Sequence, residues 1–63
     1  MMHGLRFEYE RMDQDVQIIA RAEDDHGRTW VSRMLAAGIT HLDDPTMALA
    51  ENMAVKRLHE WIG

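Results

Sequence analysis

The stretch Val16-Gln17-Ile18-Ile19-Ala20-Arg21-Ala22-Glu23-Asp24-Asp25-His26-Gly27-Arg28-Thr29-Trp30-Val31-Ser32-Arg33-Met34 decides the fold. Val16, Ile18, Ala20 and Ala22 alternate with Gln17, Ile19, Arg21 and Glu23, which is the period of a strand with one buried face. Asp24-Asp25-His26-Gly27 then supplies the strongest turn signal in the chain, because glycine tolerates the left-handed backbone that hairpin turns need. Two loop lengths compete. A three-residue loop, Asp25-His26-Gly27, sets Asp24 opposite Arg28, Ala22 opposite Trp30, Ala20 opposite Ser32 and Ile18 opposite Met34. Apolar side chains then gather on one face and opposite charges meet at the turn. A two-residue loop sets Ala20 against Arg33 and scatters the apolar set, so the longer loop is preferred, with Gly27 in the left-handed position. Residues 29–37 also fit a second pattern. Trp30, Val31, Met34, Leu35 and Ala37 recur at helical spacing, with Thr29 as a cap and Gly38 as a stop. The strand is the preferred reading; the alternative is a ββαα chain with a short helix at about 29–37.

Upstream, Leu5, Phe7 and Tyr9 share one face of a strand over residues 5–10, and Arg6, Glu8 and Glu10 share the other. Residues 11–15 read as a polar connection. Facing Phe7 to Ile18, Leu5 to Ala20 and Tyr9 to Val16 makes a three-stranded meander with the second strand central. Its dry face carries Leu5, Phe7, Tyr9, Val16, Ile18, Ala20, Ala22, Trp30 and Met34. Downstream, residues 35–43 are a connector. Asp43-Asp44-Pro45 opens a helix to Trp61 or Ile62, with an aspartate as N-cap and proline at the first helical position. Met47, Ala50, Ala54, Leu58, Trp61 and Ile62 form one stripe that covers the dry face. The expected fold is therefore α+β, a βββα unit forming a single domain over residues 1–63.

A chain of 63 residues without cysteine has neither disulfides nor thiolate metal sites to reinforce a small core. Close packing or association must do so, and a homodimer or a contact with another protein is expected. Seven basic against eleven acidic residues give a net charge of −4, which argues against a general binder of phosphate backbones. No run approaches the roughly 18 apolar residues of a membrane span, and the amino-terminal residues lack the build of a signal peptide, so a soluble, cytoplasmic protein is expected.

Chemistry-bearing motifs are missing. Of His3, His26, His41 and His59, no two share the spacing of a helical metal pair. His41, Asp43, Asp44 and His59 form a conceivable metal set, but surface histidine and helix capping account for them. Glu8, Glu10, Asp13 and Asp15 are acid–base candidates by type alone. No phosphate loop or nucleophile elbow occurs, and neither catalysis nor a cofactor is expected. Two apolar groups fall outside the expected core: Ile19, Val31 and Leu35 on the outer sheet face, and Leu49 and Met53 on the far side of the helix. Together they point to a partner interface. Asp24 and Asp25 in the turn, and Arg21, Arg28 and Arg33 close together on the outer sheet, are the candidate electrostatic contacts.

These readings lead to a non-catalytic protein-interaction module that inhibits or modulates a host protein complex by blocking a surface. In size, acidity and lack of motifs the chain is similar in kind to small accessory proteins of phages and mobile elements, among them inhibitors such as anti-CRISPR proteins. No residue pattern is shared, so no site residues carry over. The alternative is a dimeric nucleic-acid-associated regulator, transcriptional or structural, with Arg21, Arg28 and Arg33 on phosphates. A purely structural subunit of a larger particle is a third reading.

Overall fold

Alternation over residues 3–36 builds three strands, β1 (His3–Met12), β2 (Asp15–Glu23) and β3 (Thr29–Ala36), and the helical stripe builds α1 (Pro45–Ile62). The structure, a computed structural model, describes residues 1–38 and 45–63. The strands form one antiparallel sheet in the order β1-β2-β3, with α1 packed on one face. This is the βββα arrangement; residues 29–36 are strand, so the short-helix alternative does not hold. The expected Asp43-Asp44 cap lies outside the described residues.

The β2–β3 hairpin has the expected register, with Ala22 opposite Trp30, Ala20 opposite Ser32 and Ile18 opposite Met34. Its turn closes through Gly27 N donating to Asp24 O at 3.1 Å and Asp24 N to Arg28 O at 3.0 Å, with Gly27 at φ 78°. The β1–β2 register differs from expectation. Phe7 faces Ala20, Tyr9 faces Ile18 and Arg11 faces Val16, a shift of two residues. Both strands run closer to the turn than their polar ends suggest, and Met12 and Asp15 close a two-residue loop. Asp13 takes φ 56° there, a left-handed conformation that aspartate tolerates better than most residues. Because the shift is even, every side chain keeps its face and the dry face is unchanged. Near the start of β1 the pairing slips between His3 and Arg6. Gly4 sits at φ 64°, the geometry of a glycine bulge.

The core lies between α1 and the β2–β3 half of the sheet. Val16, Ile18, Ala36, Met47 and Ala50 form one cluster; Ala20, Ala22, Ala54 and Leu58 form a second. Alanines on both layers allow the helix to approach closely, and Met47 and Leu58 fill the space toward either end. Trp61, expected in this stripe, stays exposed, and Ile62 is half-buried. The helix makes no close backbone approach to β1, so Leu5 and Tyr9 remain 42% and 45% exposed. Among the described residues, no helix is long and apolar enough to cross a membrane.

Candidate functional site

The outer sheet face is set by register. Its cross-strand rows are Glu10–Gln17–Leu35, Glu8–Ile19–Arg33 and Arg6–Arg21–Val31. Val31 and Leu35 are therefore the diagonal neighbours of Ile19, which makes one apolar patch. Ile19 and Val31 are half-buried among their neighbours, and Leu35 is 54% exposed. Charges rim the patch: Arg21 Nε donates to Glu8, and Arg6 lies 3.2 Å from Glu23. Among the described residues Arg33 engages no hydrogen bond or ion pair.

Arg28 does not join Arg21 and Arg33. Its guanidinium turns to the other side of the hairpin, where Nε donates to Asp24 Oδ2 at 2.9 Å. Trp30 Nε1 donates to the same oxygen at 3.0 Å, while Oδ1 accepts the amides of His26 at 2.8 Å and Arg28 at 3.0 Å. Two carboxylate oxygens offer about four acceptor positions, and all are taken. The Trp30 indole, more than the other donors, holds the Asp24 carboxyl well below the usual carboxylate range, against the effect of burial. Asp24 is thus a buried turn anchor, not a free surface charge as expected. Asp25 is exposed and lies 2.7 Å from His3 Nε2. The arginine set proposed for phosphate contact is consequently split between two sides of the sheet.

On the helix, Leu49 and Met53 are 62% and 50% exposed, one turn apart. Met53 also lines an open groove of ≈ 220 Å³ with Met34, Lys56, Arg57 and Glu60. That volume is below the roughly 300–1,000 Å³ of small-molecule pockets. Sequence reasoning placed Met34 in the core and did not single out Lys56 or Arg57. Their proximity depends on where the helix crosses β3, which the stripe alone does not specify. Of the carboxylates considered for acid–base work, Glu8, Glu10 and Asp13 are exposed, and Asp15 accepts the Gly38 amide at 3.2 Å. Tyr9 Oη donates to Glu51, which bridges β1 to the helix and holds the phenol's proton, pushing its pKa up to about 12. Among the described residues no three histidine, aspartate or glutamate side chains converge as a metal ion needs. His41, Asp43 and Asp44 lie outside them.

No protein-family model matches the chain, and comparison with curated proteins and with solved structures finds no match.

Proposed function

We propose that the chain is a non-catalytic protein-interaction module that acts by covering a surface of another protein. The observation that supports this is an apolar strip along the helix flank. Leu49 and Met53 lead into the groove that Met53 shares with Met34 of β3. Singly exposed apolar residues are ordinary, whereas a continuous strip with charged edges has the make-up of a contact surface. Methionine suits such a surface because its unbranched side chain adapts to the partner's shape. Lys56 and Arg57 border the groove without an acidic partner among the described residues. With Glu60 the one acidic residue in that lining, the matching surface is apolar with a predominantly acidic rim. Occupying it excludes other ligands of that protein, which is how a small inhibitor or modulator works.

Affinity capture from the native host with the wild-type chain and Met53→Asp tests this reading. The wild type retains a partner that Met53→Asp loses, while both give the same circular dichroism spectrum. Equal recovery by two folded proteins removes the helix flank from the reading.

A further inference from the structure

We propose that two copies of this chain join β1 to β1 in antiparallel register about a two-fold axis at Phe7. The product is a continuous six-stranded sheet with both helices on one face. This inference uses the sheet edge opposite the helix-flank groove, and it stands or falls separately from the proposed function.

β1 is an edge strand of ten residues with no proline or lysine to discourage pairing, and its bulge at Gly4 lies at one end, leaving Arg6–Met12 in regular register. Its backbone phase can be derived. A two-residue turn is closed by a hydrogen-bonded pair, here Met12 and Asp15, so Glu10, Glu8 and Arg6 exchange bonds with β2. Phe7, Tyr9 and Arg11 consequently point their N–H and C=O groups to the open edge. The β2–β3 turn agrees, since Asp24 N donates toward β3 and the even-numbered residues of β2 bond on that side. Any two-fold pairing that uses these outward groups keeps the dry faces on one side, and a few registers satisfy it.

Charge selects among them. With Phe7 facing the partner's Phe7, Arg6 faces the partner's Glu8 twice, and Leu5 faces the partner's Tyr9 twice. Sliding one way sets Glu8 against the partner's Glu8, and one step further sets Glu8 against the partner's Glu10. Sliding the other way sets Arg6 against the partner's Arg6. Like charges directly opposite are destabilising, so this register alone sets no two formal charges of one sign against each other; Glu10 faces the partner's Gly4 and Arg11 the partner's His3. In it Arg6 lies between its own Glu23 and the partner's Glu8, and Glu8 lies between its own Arg21 and the partner's Arg6. The same pairing covers Leu5 and Tyr9, which the helix leaves exposed, and the open side of Phe7, which is half-buried against the core. The other edge, β3, carries Arg33 as its one formal charge, so it offers no such self-complementary pair.

Sedimentation equilibrium on the full chain and on Arg6→Glu and Glu8→Arg tests the proposal. The wild type is a concentration-dependent dimer. Each reversal opposes like charges at two symmetric contacts and raises the dimer dissociation constant at least about tenfold. An equimolar mixture of the two variants restores opposite charges at both contacts and regains the dimer, whereas Met53→Asp leaves dimerisation unchanged. Circular dichroism checks that both reversals fold, since each also breaks one exposed ion pair within the chain. A monomeric wild type at every concentration overturns the proposal. So does a dimer that neither reversal weakens, or a mixture that associates no better than its components.

Discussion

Asp24 does the work of several backbone groups at once. Its carboxylate takes the two amides of the turn, the guanidinium of Arg28 and the indole of Trp30, and so ties the loop to the first residues of β3. Asparagine keeps the shape but replaces one acceptor oxygen with a donor, leaving half of these bonds unmet. Asp24→Asn therefore lowers the urea midpoint at neutral pH. The pH dependence has a definite sign. The unfolded chain protonates Asp24 near the ordinary carboxylate value and the folded chain only at much lower pH. Between those values the unfolded state binds more protons, so stability falls as pH drops from about 5. Urea midpoints measured across this range decline for the wild type and decline less steeply for Asp24→Asn. Equal slopes in the two proteins count against this role. Ser32 presents the opposite case, a fully buried hydroxyl with no partner among the described residues, facing Ala20 beneath the helix. An unsatisfied buried hydroxyl is destabilising, so Ser32→Ala raises stability by up to about 1 kcal/mol in denaturant titration. The turn position of Asp24 was legible from the sequence through its Asp-Asp-His-Gly context. Its burial was not, because that depends on Trp30 folding back over the loop from six residues away.

At the scale of elements, the helix holds the fold through few side chains. Leu58 is fully buried, and Leu58→Ala removes about 2–5 kcal/mol. A core this small supplies about 3–5 kcal/mol in total, so that variant loses most of its stability and melts at a much lower temperature. Leu49→Ala, on the solvent side of the same helix, changes stability by less than about 0.5 kcal/mol. Thermal melts of the two variants separate core from contact surface. At the bulge, a Cβ on Gly4 meets Glu23 Oε2 at 2.6 Å, and φ 64° is strained for any other side chain. Gly4→Ala is expected to lose about 1–2 kcal/mol. The two hairpins differ in how far sequence specifies them. Gly27 fixes a turn, and the apolar pairing rejects the other loop length, so the β2–β3 register is readable. In the β1–β2 hairpin no glycine marks the turn, and a shift of two residues leaves both faces as they were. Hydrophobic pattern cannot distinguish those registers; the left-handed backbone of Asp13 in the two-residue turn does. The helical stripe likewise names the buried face of α1 but not which strands it crosses. The groove between Met34 and Met53 was therefore illegible, although Met53 itself was visible as an apolar residue on the wrong side.

For the molecule as a whole, the governing fact is a mismatch of layers. One helix covers β2 and β3, and β1 is left with Leu5 and Tyr9 half open and, among the described residues, an unpaired backbone edge. Pairing two copies through β1 removes both edges from water and places the uncovered thirds of the two sheets side by side between the helices. The outer patch of Ile19, Val31 and Leu35 and the helix-flank strip remain outside that junction, free for another protein. Amide hydrogen exchange reads the central claim residue by residue. In concentrated wild-type protein the Phe7 and Tyr9 amides are expected to be protected like those of Glu8 and Glu10, and to exchange rapidly in Arg6→Glu while Glu8 and Glu10 stay protected. Rapid exchange at Phe7 and Tyr9 in the wild type at every concentration, with Glu8 and Glu10 protected, would contradict the paired edge.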